Sequence, residues 1–217
     1  MTWEDHIPSD IAELYEVHDY KHAAAILAKE FPNEFEELCT ALRKFRLSIG
    51  DITIAGGNES LIPKKFSKIL RPMNWAPGNL KAKLVVDDKE IKLETHKVDY
   101  IKGRVAFDLE WNSKDQTFDR DLYAFRAFYE YDKISLGVLV TRSNSLDALF
   151  DSLGSYTDKK GDIRKYKSKY GASTTHMGKL LPRLDAGRNG GCPILVFGIT
   201  TKLLTNESET IEQPEKI

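Results

Sequence analysis

Apolar residues recur at helical spacing twice near the start of the chain. From about Ile11 to Leu27 the stripe is Leu14, His18 and Ala25; from about Asn33 to Phe45 it is Phe35, Leu38, Leu42 and Phe45. Both predict scaffold helices. Ser48 to Gly57 is short, β-branched and bounded by glycine, which predicts a loop or short strand before a helix from near Asn58. Pro72 to Pro77 ends that helix, and Lys81 to Lys97 alternates as β-structure with Asp87-Asp88 as its turn. From Val105 to Trp111 the alternation is strict, with Val105, Phe107, Leu109 and Trp111 on one face and Ala106, Asp108 and Glu110 on the other. Lys102-Gly103 reads as a two-residue turn that pairs Ile101 with Arg104 and Asp99 with Ala106. Asp115 then caps a helix to about Tyr131 whose apolar side is Phe118, Leu122, Phe125 and Tyr129. Ile134 to Thr141 and Pro193 to Thr200 are nearly continuous apolar runs, the pattern of central strands buried on both faces. The elements add up to an α/β fold, a mixed central β-sheet flanked by helices.

Between those last strands, Thr141 to Gly191 is long and polar, too poor in apolar residues for core and too varied for a linker, which suits substrate contacts. Residues 1–205 read as a single domain, followed by an acidic tail, 206–217, expected to be mobile. A length of 217 residues is ordinary for one compact domain. No apolar run is long enough to span a membrane, and Met1 to Asp5 lacks the basic and apolar regions of an export signal. Cys39 and Cys192 stand far apart and outside any CxxC pair, which argues against zinc and a disulfide framework and for a reducing cytoplasm.

A net charge of −1 does not suggest a nucleic-acid binder until its distribution is followed. Lys64, Lys65, Lys68 and Arg71 form one basic run, and Lys159, Lys160, Arg164, Lys165, Lys167 and Lys169 another, with Tyr166 and Tyr170 interleaved. Glu30 to Glu37 and Glu207 to Glu215 are acidic. Aromatic residues among cations suit a loop that tracks phosphates, although a lysine-rich loop is also an ordinary solvated surface.

The candidate chemistry lies in the hairpin. In the register above, Asp99 is diagonal to Asp108 on one face, about 7–8 Å away at Cα, a span that two carboxylates close around a divalent ion. Oxygen ligands select Mg²⁺ or Mn²⁺. A polar, solvated hairpin edge would carry the same pattern. His18 and His22 stand at i, i+4, but without a glutamate between them in the protease pattern they read as core or capping residues. A glycoside hydrolase using two carboxylates, or a DNA-binding module whose acids are structural, also remains open at this stage.

Asp99, nine residues on Asp108, any residue, then Glu110 resembles the metal-binding signature of the PD-(D/E)xK nucleases, in the variant whose last position is not lysine. That variant is similar to the BglII/BstYI type of restriction endonuclease. Asp19 to Leu27 resembles the family's opening Tyr-x-His-Ala helix, Leu61 to Lys64 its second helical region, and Thr175 to Arg183 the BstYI-like branch.

The resemblance implies a type II restriction endonuclease fold and activity: a homodimer cutting double-stranded DNA at a short palindrome to leave 5′ overhangs, beside a cognate DNA methyltransferase; a repair, mobile-element or modification-dependent nuclease would use the same metal hairpin. It implies that Asp99, Asp108 and the Leu109 carbonyl hold Mg²⁺, with Mn²⁺ able to substitute. Glu110 either accepts a hydrogen bond from the attacking water or binds a second ion. Glu59 is either a further group near the metal or a residue favoured by its helix dipole. Asp108 is shorter than the glutamate common there, which shifts the ion toward the strand without removing a ligand. Asn112, Ser113, Ser143, Asn144 and Ser145 would read bases, and Arg183 and Arg188 would contact guanine edges or phosphates, although each fits equally as a loop residue or helix cap. Helices after the catalytic strand would build the dimer interface.

Overall fold

The computed structural model describes residues 2–53, 61–81, 83–92, 96–158 and 160–205. The expected helix start near Asn58, Glu59 and the acidic tail lie outside them. Six strands form the main sheet: β1 (Tyr15–Tyr20), β2 (Ala76–Leu80), β3 (His96–Lys102), β4 (Val105–Glu110), β5 (Leu136–Arg142) and β6 (Ile194–Ile199). Their spatial order is β1-β6-β5-β4-β3-β2. The β4-β5 and β5-β6 pairs are parallel, and β1-β6, β3-β4 and β2-β3 are antiparallel, so the sheet is mixed.

Helices cover both faces. On one, α1 (Ala23–Glu30), α2 (Pro32–Lys44) and α3 (Leu61–Leu70) pack Leu27, Leu38, Leu42 and Phe66 against Phe107, Leu109, Val138 and Phe197. On the other, α4 (Thr117–Glu130) and α5 (Met177–Asp185) pack Phe118, Leu122, Phe125 and Leu180 against Ala106, Leu139 and Val196. Alternate residues of β4 and β5 therefore enter different cores, which is why the sequence is apolar from Leu136 to Val140 of β5 and along β6. Gly137 of β5 leaves room for a ring: a Cβ there would sit 2.7 Å from Phe125 Cδ2.

Several expectations are corrected. The stripe from Ile11 to Leu27 is not one helix. A short helix, Ser9–Leu14, leads into β1, and Lys21 and His22 turn at φ 57° and 59° before α1. Tyr15 to Tyr20 also alternates, and β6 offers a free edge whose amides and carbonyls need a partner; pairing with it outweighs helix propensity. His18 and His22 thus fall on a strand and a turn. Asp19 instead accepts the Ala24 amide at 3.1 Å, fixing the start of α1. Asp115 does not cap α4 with its side chain, which turns to Arg183 at 3.5 Å. The section from Thr141 to Gly191 does feed the core, through Leu146, Phe150, Tyr170, Leu180 and Leu184.

The turn at Asp87 and Asp88 is where the alternation puts it, both residues at positive φ between strands Lys83–Val86 and Lys89–Lys92. The other hairpin turn moves by one residue. Lys102 pairs with Val105, Ile101 with Ala106 and Tyr100 with Phe107, so Gly103 (φ 52°) and Arg104 form the loop. Continuing this register sets Asp99 directly opposite Asp108 rather than diagonal to it.

Candidate active site

A cleft of about 960 Å³ opens at the C-terminal end of β4. Asp99, Leu109 and Glu110 line it, and so do Lys64, Arg71, Lys97 and Lys169. Both basic runs of the sequence therefore send cations to the rim. Lys169 is held between the rings of Tyr156 and Tyr166, 4.4 and 5.1 Å from their centroids, and burial lowers its pKa. Buried Asp51, in the cleft wall, is neutralised by Lys65 at 2.7 Å.

Asp108 is almost wholly buried, so Glu110 and not Asp108 is the β4 acid that lines the cleft. Ala106 lies under α4, and every residue of β4 is buried. The Asp99 amide donates to Asp108 Oδ1 at 2.5 Å, and the Leu109 amide donates to Asp99 Oδ2 at 3.4 Å. Burial, then the charges of Asp121 and Asp99, push the Asp108 carboxyl well above the usual carboxylate range. Glu110 is also raised, first by burial and then by Asp99, while Ser113 and Arg120 favour its charged form.

The sequence reading missed Asp121, on the second turn of α4. It is 2% exposed, and its carboxyl is pushed up to about 8 by burial and by the neighbouring charge of Glu110. Its Oδ1 accepts from Arg120 Nε and Nη2 at 3.2 and 3.0 Å, while its buried Oδ2 has no hydrogen-bond partner. A signal was present: Asp121 is three residues after Phe118 and four before Phe125, a charge on the apolar stripe.

Three buried carboxyl groups, Asp108, Glu110 and Asp121, and the exposed Asp99 thus meet at one corner with the Arg120 guanidinium. Among the described residues no three His, Cys, Asp or Glu side chains converge closely enough to hold a metal ion as they stand. The donor set nevertheless fits a hard cation: all oxygen, an excess of negative charge, raised carboxyl groups and an orphaned buried oxygen.

The remaining candidates separate into two groups. Asn112 and Ser113 line the cleft, Asn112 at φ 61° with a buried Oδ1 that has no partner. Ser143 and Asn144 are engaged within the chain: Ser143 Oγ accepts the Ser145 amide at 3.1 Å, and Asn144 Oδ1 accepts the Gly178 amide at 2.8 Å, pinning the start of α5. Ser145 is exposed. Arg183 uses Nε, Nη1 and Nη2 on Asp119, the Lys179 carbonyl and Asp115, and the more exposed Arg188 pairs with Asp119.

A mixed sheet with acids at the end of a central hairpin, under a cation-rimmed cleft, is the restriction-endonuclease-like arrangement. The model of the BglII/BglIII restriction endonuclease family matches residues 15–199, and the chain belongs to that family. It is accordingly a BglII-type restriction endonuclease, a hydrolase with DNA as its substrate, and the family generally uses divalent metal ions. No curated protein matches the chain.

Proposed function

We propose that the chain is a type II site-specific deoxyribonuclease, with residues 1–205 as one catalytic and DNA-binding unit. It cuts both strands of duplex DNA at a short palindrome and leaves 5′ overhangs. The observation that carries this reading is Asp99 bonded to Asp108 across the hairpin, amide to carboxylate, with Asp99 and Glu110 lining a cleft rimmed by cations.

Asp99, Asp108, the Leu109 carbonyl and Glu110 would hold Mg²⁺, or Mn²⁺ in its place. The bound ion supplies a more acidic water, charge neutralisation at phosphorus and stabilisation of the departing oxygen. The chain's own residues do the rest. Lys64, Lys97 and Lys169 draw the DNA backbone along the cleft. Glu110, with its raised carboxyl group, orients the attacking water and accepts its proton as the water oxygen bonds to phosphorus. The bond to the 3′ oxygen breaks and that oxygen takes a proton from solvent water, leaving a 3′ hydroxyl and a 5′ phosphate. Asn112 and Ser113 read base edges from the cleft wall, while Ser143, Asn144, Arg183 and Arg188 shape the segments that carry exposed Ser145 to the DNA.

A palindrome requires two copies related by a two-fold axis. Tyr123, Tyr129 and Tyr131, on and just after α4, are exposed and available to a second copy, whereas Phe118, Leu122 and Phe125 are core. A methyltransferase of matching specificity would protect the host's own sites.

Incubation with a long duplex of known sequence, in Mg²⁺ and in EDTA, tests the proposal. Discrete Mg²⁺-dependent fragments whose sequenced ends share one palindrome are expected. A smear would indicate a nonspecific nuclease, and no cleavage would leave the acids without a catalytic role.

A further inference from the structure

Hydrolysis at phosphorus accumulates negative charge on the phosphoryl oxygens, and the acids assigned above add more. Glu110 and Asp121 meet one cation among the described residues, Arg120, whose Nη2 is 3.8 Å from Glu110 Oε1 and 3.0 Å from Asp121 Oδ1. Arg120 is not buried with the acids it pairs: its side chain is 73% exposed, against 3% for Asp121 and 10% for Glu110, so its guanidinium stays open to a ligand from solvent.

Its hydrogen bonds show how it is aimed. Nε and Nη2 both donate to Asp121 Oδ1, which turns one edge of the fork inward. Nη1 makes no hydrogen bond to a described residue, so the opposite edge is left toward solvent beside Glu110. Phosphate suits that edge, because a planar fork with two parallel N–H groups matches two phosphoryl oxygens. Arg183 and Arg188 differ: both are paired with Asp119.

We propose that Arg120 is a catalytic residue that binds the scissile phosphate, and that buried Asp121 is the positioning residue that aims it. The cation comes from α4, the helix packed over the catalytic strand, rather than from the strand itself, whose position 110 is acidic. This inference rests on the nuclease reading above. On binding DNA, Arg120 exchanges part of its contact with Glu110 for the phosphate, which frees Glu110 to hold water.

The test is single-turnover cleavage of plasmid DNA in Mg²⁺ by the full chain, with DNA affinity measured separately by anisotropy in EDTA. Arg120→Ala is expected to slow cleavage about 100-fold or more while changing affinity less than about threefold. Guanidinium ion, well below denaturing concentration, is expected to restore at least about tenfold of that loss and to leave the wild type unaffected. Arg120→Lys, which keeps the charge beside the buried acids and so guards against misfolding, is expected to fall between the two. Asp121→Asn is expected to slow cleavage and to add little in the Arg120→Ala background, because the two residues act as a unit. An Arg120→Ala rate within about threefold of wild type, or a loss that guanidinium does not relieve, overturns the inference alone. An inactive wild type overturns the nuclease reading and this inference with it.

Discussion

Asp99 and Asp108 clasp each other across the β3-β4 hairpin. Each carboxylate accepts a backbone amide of the opposite strand, Asp108 from Asp99 and Asp99 from Leu109. The ladder pairs end at Tyr100 and Phe107, and the two side chains take over the bonding one step further on. The pair is thus preorganised by the sheet, whichever ion it receives.

Asp108→Asn keeps the size of the side chain and an acceptor for the Asp99 amide. Cleavage is expected to fall by about 1,000-fold or more, with duplex binding in EDTA within about threefold of wild type. Asp99→Ala is expected to abolish cleavage as well. Full activity of both variants in Mg²⁺ would remove these residues from the site.

The metal-free protein should lose stability as pH rises. The Asp121 carboxyl, pushed up to about 8, keeps its proton in the folded chain long after the unfolded chain has released it near the ordinary 3.8. The folded state then binds more protons than the unfolded one, so stability falls between about pH 4 and pH 8 and levels off above. Urea midpoints in EDTA from about pH 5 to about pH 9 would show the slope. Asp121→Asn should flatten it; parallel slopes for the two proteins would contradict the assignment.

Binding of Mg²⁺ requires the Asp108 and Glu110 carboxyl groups, both held above their ordinary range, to be ionised, so ion binding releases protons. The rise in melting temperature on adding Mg²⁺ should therefore grow as pH rises. A shift that is constant with pH would place the ion elsewhere.

Gly137→Ala tests the packing of α4 on the sheet. The new methyl would meet Phe125 at 2.7 and 2.8 Å and Ile194 at 3.0 Å, deep in the core. A loss of about 1–3 kcal/mol is expected from chemical denaturation. An unchanged midpoint would mean that the helix shifts without cost.

Arg142, 1% exposed at the end of β5, donates to the Thr175 carbonyl at 3.0 Å and to Thr174 Oγ1 at 2.8 Å, and lies under the rings of Phe150 and Tyr170. Thr175 in turn accepts the Ser113 amide through Oγ1 at 3.1 Å, so Arg142 braces the cleft wall. Arg142→Leu should cost about 3 kcal/mol, because the carbonyls it serves lose their donor. Wild-type stability would show that those carbonyls find other partners.

The sequence by itself determined much of the layout. The apolar runs at β5 and β6 required strands covered on both faces, the alternation from Val105 to Glu110 required a strand, and the stripe from Phe118 to Phe125 required a helix packed on it. Local periodicity reports these because each residue's burial follows from its own element. Asp99, Asp108 and Glu110 were legible for the same reason, as polar positions of known spacing on one hairpin. Tertiary structure decided what depends on partners distant in sequence. Tyr15 to Tyr20 became a strand because β6 offered an edge to pair with, and Thr141 to Gly191 entered the core because the sheet gave Phe150, Tyr170 and Leu180 something to cover. Arg120 and Asp121 came to Glu110 only through the packing of α4 across β4. A charge on an apolar stripe is visible in a sequence, but which charges it faces is set by the docking of one element on another.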